Sequence, residues 1–411
     1  MGATITTFTS AMRNKYLPRL RSQLNDNSIF GNFNKQNKDD VQWEGNAAIV
    51  HLHSSRNYSG VKSTGESGPL GDAGSQGQAQ LSIPIRDVKG RFGVTYELVK
   101  TTESSAGAVV PALQLEMKRL LKDIERQRGR ILFGFGQGTL AVSATGVASA
   151  TQDTKDAGGV VSTKNPNRYI KKNMKVAFTD GTTIRGVRTV SSITDLNTIV
   201  LSSSITSTTG DFVQLGVTQS STDYDSYNKE PMGLLGIVDS TTYNGTYFGI
   251  NRATAGNEYL RAGVNTSTGT ISEDLLYRLI DNQEEISGEI VDVAFVHPSI
   301  VREYWKLTQP DRRYQSDGQL ANPDAGVNMK AKPVFGGTLR FERDKDAPFE
   351  TLIAANSSHL FVIYADEGDW VNFGPDGAGG ESLLRPVADK TDYEGVFAML
   401  YNVYGDRPNS S

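Results

Sequence analysis

The side chains in this sequence able to do acid–base, metal or phosphate chemistry are few and scattered. Asp366, Glu367 and Asp369 lie close together, but their spacing matches no calcium-binding loop, and a solvated turn is the expected structure. His51 and His53 fall two apart, on one face of a predicted strand, where two imidazoles could clip a metal. No third ligand stands nearby, so a plain structural role is expected for both, and no metal site. The other histidines, His297 and His359, stand apart from them. The chain has no cysteine, which excludes disulfides, thiolate nucleophiles and Cys-based metal centres. It has no Gly-Lys-Ser/Thr phosphate loop. Gly134, Gly136 and Gly138 share a spacing with dinucleotide-binding loops, but those follow a strand and open a helix, whereas this run closes one. Hydrolysis would have to rest on carboxylates alone. Neither an enzyme nor a cofactor is expected.

Length and charge narrow the choice further. At 411 residues the chain has room for two or three compact units. With 42 basic and 46 acidic residues its net charge is −4, so the surface as a whole does not attract nucleic acid. The N-terminal text lacks the apolar core of a signal peptide, and no run approaches the length that spans a bilayer, so synthesis in a cytoplasm without a membrane partner is expected. The 42 glycines, with many Ser and Thr, favour turns, extended arms and short strands over a helical bundle.

The elements that could position anything begin with a hairpin and a helix. Residues 47–54 alternate as one strand, and residues 78–88 and 91–99 as a longer return strand in which Gly90 permits a bend or bulge. The tip between them, residues 60–78, is glycine-rich and nearly free of apolar side chains, so it buries nothing within its own subunit. Residues 106–133 follow as the longest helix, with Pro111 expected in its first turn. Its apolar stripe is Leu113, Met117, Leu120, Ile124 and Ile131, at spacings of four, three, four and seven. Lys118, Lys122, Arg126 and Arg130 recur every fourth residue on another face, and Arg119 and Asp123 are placed to pair at i,i+4.

Residues 142–225 read differently: short alternating runs rich in Ser, Thr, Val and Gly, with turn signals at Asp180–Gly181 and Gly210–Asp211. That is a small β-sandwich or barrel inserted after the helix. Beyond it, a helix over residues 272–282 with Ser272 as N-cap turns Leu275, Leu276, Leu279 and Ile280 inward. A buried strand precedes a second helix that opens at Pro298, and residues 336–411 return to strands. The class is α+β with one β insertion. Residues 1–45 are polar and read as an arm whose Arg13, Lys15, Arg19 and Arg21 carry positive charge without a neighbouring acid.

In order and in several residues the chain resembles the major capsid proteins of tailed bacteriophages, the Hong Kong 97-type fold. Residues 56–77 are similar to that family's extension-loop tip, residues 116–141 to its spine helix and the glycine turn after it, residues 295–307 to an axial-domain strand and helix, and residues 387–411 to its last strands and tail. The likeness touches most of the chain except the β insertion. It implies an N-terminal arm at 1–45, an extension-loop hairpin at 46–97, a peripheral domain with the spine helix at 98–141, an inserted β-rich domain at 142–225, an axial domain at 226–335, and axial and peripheral strands with a C-terminal tail at 336–411. It implies self-assembly into homo-hexamers and homo-pentamers, as an icosahedral shell around double-stranded DNA held without sequence preference. Portal, scaffolding and decoration proteins are the implied partners. The implied location is the virion, assembled in the host bacterial cytoplasm.

On this resemblance Lys62, Glu66, Pro69, Leu70 and Asp72 are the candidate assembly contacts. Arg13, Lys15, Arg19, Arg21, Lys118, Lys122, Arg126 and Arg130 are the candidate DNA-facing residues. Some relatives cross-link a loop lysine to a neighbour's asparagine. Lys62 is the single lysine of the tip, and the sequence identifies neither a partner Asn nor a catalytic acid. Some also begin with a cleaved scaffolding segment, for which no room is seen before the arm, so a separate scaffold or none is expected. The alternative is a β-rich phage tail or adhesin protein, which would explain the Ser/Thr/Gly strands but not the long helix.

Overall fold

The structure is a computed structural model that describes residues 29–57, 59–69, 71–97, 106–155, 167–216, 227–241, 245–265, 269–308, 332–334, 337–371, 384–387 and 391–410. The chain opens with short strands β1 (Asn34–Gln36) and β2 (Gln42–Glu44), then the hairpin strands β3 (Ala47–Ser55) and β4 (Gly77–Pro84), then β5 (Arg86–Val94). Helix α1 (Ala106–Leu132) follows. Next come β6 (Thr139–Ser143), β7 (Ala148–Lys155), β8 (Lys175–Thr179), β9 (Ile184–Ile193), β10 (Thr198–Thr206) and β11 (Phe212–Leu215). The short helix α2 (Leu234–Ile237), the ribbon β12 (Thr246–Tyr247) and β13 (Ile250–Asn251), helix α3 (Glu273–Ser287), strand β14 (Val293–Val296) and helix α4 (Pro298–Thr308) lead to β15 (Lys332–Val334), β16 (Gly337–Arg343) and β17 (Leu352–Ala355). The last strands are β18 (Leu360–Trp370), β19 (Arg385–Pro386) and β20 (Tyr393–Gly405).

The central sheet runs β1-β18-β20-β19, with β5 also paired to β20. The return strand of the hairpin therefore divides. β4 pairs with β3, whereas β5 leaves that ribbon and runs antiparallel to β20 from Arg86 to Val94 without a register shift. Pro84 and Ile85 mark the transfer: Ile85 donates its N–H to Asn46 O, and Asn402 of β20 donates to Pro84 O at 2.7 Å. Gly90 makes no bulge, contrary to the sequence reading. Helix α1 crosses β5 there, with Leu120 and Ile124 pressed against the bare Cα.

Helix α1 begins five residues before Pro111, which lies inside the helix and not in its first turn. Met117, Ile124 and Ile131 are buried as the stripe requires, and Leu120 is half-buried beside the fully packed Leu121. Leu113 lies outside the described side chains. The expected Arg119–Asp123 pair does not form. Arg119 pairs with Glu116 at 3.1 Å and Asp123 with Arg126 at 3.3 Å, both at i,i+3. The seven-residue gap in the stripe is filled by Arg128, which is 1% exposed.

Between α1 and α2 the strands close into a barrel in the order β10-β7-β6-β11-β8-β9. Closure leaves the barrel no free edge. Its own core holds Leu140, Ile170, Val176, Phe178, Val190, Ile199, Leu201, Ile205 and Val213. A second sheet, β15-β16-β14-β17, is mixed, with β14 parallel to β16 and antiparallel to β17. Its strand β14 is buried on both faces, which is why it reads as a continuous apolar run. Val293 and Phe295 enter the main core, while Ala294 and Val296 meet Ile280 of α3 and Ile300 and Val301 of α4. Helix α3 starts at its predicted cap, where Ser272 Oγ accepts from Leu275 N at 3.1 Å. It runs past the expected end to Gly288, left-handed at φ 73°.

The acidic run at 366–369 is not a solvated turn. It belongs to β18, whose pairing to β20 shifts register twice across it. Asp366 Oδ1 accepts from Gly368 N at 3.0 Å, which fixes the bulge, and Gly368 has φ 110° above Phe397 and Met399. The side chain of Asp369 accepts its neighbour's Trp370 N. These carboxylates hold backbone and do not converge on a ligand.

Candidate assembly surfaces and DNA-facing residues

The hairpin tip is closed at its neck by one side chain. Asn57 Nδ2 donates to Gly74 O and Asn57 Oδ1 accepts from Gly60 N, each at 2.8 Å. Within the loop a backbone bond, Gly68 N to Gly65 O at 2.9 Å, turns the chain around Glu66 and Ser67. Lys62, Glu66, Pro69 and Asp72 lie at the surface with Val61, which is largely solvent-facing. Leu70 lies outside the described residues. A loop of this length with an ordered neck and an exposed interior presents backbone and small polar groups outward, which is the chemistry of a contact surface and not of a core. Asn57 was missed in the sequence, although an Asn three residues before Gly is the signal for such a side-chain turn. His51 and His53 project from the exposed face of β3, opposite Gln80 and Gln78. Among the described residues no three His, Cys, Asp or Glu side chains group as metal ligands.

The basic face of α1 divides in two. Lys118, Lys122 and Arg126 are exposed. Lys118 and Lys122 carry no ion pair with a described residue, and Arg126 shares its charge with Asp123. Arg130 is a correction: it is 4% exposed and faces no solvent-filled space. Its guanidinium is paired with Glu230, which also accepts from Gln127 Nε2 at 3.3 Å. The physical reason is the insertion. The barrel leaves α1 a few residues later and returns through Glu230 to α2, so the last turn of the helix is wrapped on all sides. Arg13, Lys15, Arg19 and Arg21 lie outside the described residues.

Arg128, on the apolar stripe, is held by aromatic rings. It lies 4.1 Å over Phe30 and 5.2 Å from the Tyr401 centroid, and donates to Tyr364 Oη at 3.0 Å. Burial pushes the Tyr401 hydroxyl up to about 12, with Arg128 opposing the rise. A cation there joins the segment before β1, helix α1 and the central sheet through one side chain. Arg252 does the same near the ribbon. It is fully buried 3.5 Å from Asp239, stacked 4.4 Å over Tyr247, and donates to the carbonyls of Gly236 and Ile237. Burial draws the Arg252 guanidinium below its ordinary range. Neither arginine is open to a ligand, so both serve the frame that carries the surfaces.

No protein-family model matches the chain, and no curated protein matches it. Among solved structures it is similar to a chain of the cyanophage A-1(L) capsid asymmetric unit, at 12% identity over 89% of this chain and 86% of that chain, with a TM-score of 0.51. It is also similar to a chain of the capsid of a native GTA particle, at 10% identity over 93% and 87%, with a TM-score of 0.45. A chain of the satellite phage P4 procapsid matches at 11% identity over 96% of each, with a TM-score of 0.37. Of these three, the first reaches the level at which two chains share a fold, and it does so across nearly the whole length of both. The chain has the fold of a bacteriophage capsid protein.

Proposed function

We propose that this chain is a structural subunit of a phage capsid, and that copies of it assemble as hexamers and pentamers into an icosahedral shell around double-stranded DNA. The observation that carries the reading is the fold shared with the cyanophage capsid chain over 89% of this one. The exposed hairpin tip supports it, because a loop held at its neck, with none of its described side chains buried at home, has its use on a neighbour. In this reading residues 1–45 are the arm, 46–97 the extension loop, α1 the spine helix of a peripheral domain at 98–141, and 142–225 an insertion. Residues 226–335 make most of the axial domain, and 336–411 its remaining strands and the tail. Lys62, Glu66, Pro69, Leu70 and Asp72 touch another copy. Lys118, Lys122 and Arg126, with the four basic arm residues, face packaged DNA weakly and without base readout. Portal, scaffolding and decoration proteins complete the partner set, and the virion is the location. Many weak interfaces per subunit suffice, since linked binding gains avidity without strong individual interactions.

The test is light scattering and negative-stain electron microscopy of the purified chain, with scaffold supplied where assembly needs it. Capsomers or closed shells are expected. A lasting monomer, or a trimeric fibre of the kind a tail or adhesin protein forms, would replace the reading.

A further inference from the structure

Away from these surfaces, one side chain makes two demands at once. His359 Nδ1 lies 2.8 Å from Asp406 Oδ1, and His359 Nε2 lies 2.5 Å from Glu289 Oε2. An ionised carboxylate accepts hydrogen bonds and donates none, and a neutral imidazole carries a single N–H. A neutral ring between two carboxylates satisfies one of them and turns a lone pair toward the other. Both are satisfied when the ring holds two protons, or when one acid holds a proton in its place. Asp406 is suited to share it: burial raises its carboxyl above the ordinary carboxylate range, against the pull of His359 and Arg407.

The cluster sits on a seam. Glu289 directly follows Gly288, the residue that ends α3, and Asp406 and Arg407 directly follow β20. Arg407 pairs with Glu289, and Gln283 of α3 donates to Asn409 O. Asn356, before the turn that enters β18, donates to Glu289 Oε2 at 3.2 Å. Pro408 and Ser410 are buried as a result. The charged groups facing the ring are Glu289 from the end of α3 and Asp406 and Arg407 from the C-terminal segment. Tyr404 and Tyr247 feel the charge of Asp406. Asp292, across the same turn, is occupied by Ser357 and Arg340.

We propose that His359 is a proton-operated latch: doubly protonated, it fastens the C-terminal segment from Asp406 to Ser410 onto α3, and loss of that proton releases the segment. Raising the pH sets a ring lone pair against a carboxylate and leaves a full charge on the part-buried Asp406. A carboxyl whose value is raised in the folded state contributes stability that is present in acid and lost as the pH climbs through that raised value, so Asp406 acts in the same direction as the ring.

The test is hydrogen exchange of the C-terminal peptide in the full chain from about pH 6 to about pH 9, across and above the ordinary imidazole range, corrected for intrinsic rates. Protection of that peptide should fall by about tenfold over the span in the parent, which is one pH unit of linked proton loss. It should be flat in His359→Gln. In Asp406→Asn the side-chain amide can turn its NH2 toward the ring, so a neutral imidazole satisfies both neighbours and the pH dependence should shrink while the fold persists. Nitrogen NMR should show both ring nitrogens of His359 protonated wherever the segment is protected. A singly protonated ring together with pH-independent protection in the parent, pH dependence that survives in His359→Gln, or pH dependence in Asp406→Asn as large as the parent's, overturns the latch and leaves the capsid reading untouched.

Discussion

A Cβ added to Gly90 of β5 would stand 2.7 Å from Ile124 Cδ1 and 3.0 Å from Leu120 Cδ1 of α1. The long helix thus rests on a strand that also pairs with β20 along its whole length. The glycine is there for close approach, not for a turn. Gly90→Val should destabilise the chain by about 1–3 kcal/mol through overpacking. Ile124→Ala made on the Gly90→Val background should recover part of that loss, a coupling a double-mutant cycle in chemical denaturation would reveal. Additive losses would place the helix elsewhere.

Arg130 and Glu230 make the second case. Arg130 is buried and Glu230 only partly exposed, so removing the acid leaves a buried charge uncompensated. Glu230→Ala should therefore cost about 3–5 kcal/mol, whereas replacing both residues by Met should cost far less. Lys122→Ala, four residues from Arg126 on the exposed face, should fall within about 0.5 kcal/mol of the parent. Thermal unfolding of the three variants separates a structural arginine from solvated cations of the same periodic run.

The stripe of α1 sharpens a third expectation. Leu121 is 4% exposed and Leu120 is not among the fully buried side chains. Leu121→Ala should cost about 2–5 kcal/mol, with a clearly smaller loss for Leu120→Ala. Equal melting of the two variants would contradict the register.

These cases also show what the sequence carried. Periodicity found α1, the hairpin, β14 and the cap of α3, because burial of one face or of both writes itself into local spacing. It did not find which strand β5 would join, since pairing with β20 is set by residues about 300 positions away. It read Arg130 as solvated because a cation every fourth residue describes one helix, not what later wraps its end. Asp366 and Asp369 read as a turn because polar text with a glycine is common to turns and bulges. The surface proposed for assembly was read from composition alone: a glycine-rich tip says that no core forms there, and the Asn57 clasp adds that its neck is held.

The tip should matter to assembly and not to folding. Excising residues 61–72 while keeping Asn57, Gly60 and Gly74 removes no side chain that is buried among the described residues, so the unfolding free energy should move by less than about 0.5 kcal/mol. Shell yield, counted by electron microscopy, should collapse. Normal shells without the tip would show that the hairpin serves some other purpose.

The last prediction concerns DNA. The chain carries a net charge of −4, and on α1 the exposed cations of the periodic run reduce to Lys118, Lys122 and the Asp123-paired Arg126. A shell has to hold a dense polyanion without gripping it, and a few lysines against an acidic background supply a weak, salt-screened attraction. Each phosphate that is no longer neutralised should lower the slope of log K against log salt by about 0.9. Lys118→Gln with Lys122→Gln should therefore reduce the slope by up to about 1.8 and weaken binding equally on all sequences. Arg126→Gln should add less, because Asp123 already takes part of its charge. Arg130→Met paired with Glu230→Met should leave the slope unchanged, since neither side chain reaches out into solvent. A filter-binding salt titration on assembled particles opened to DNA reads all three. Binding that discriminates between sequences, or a slope untouched by the lysine pair, would take DNA binding away from this helix while leaving the shell itself in place.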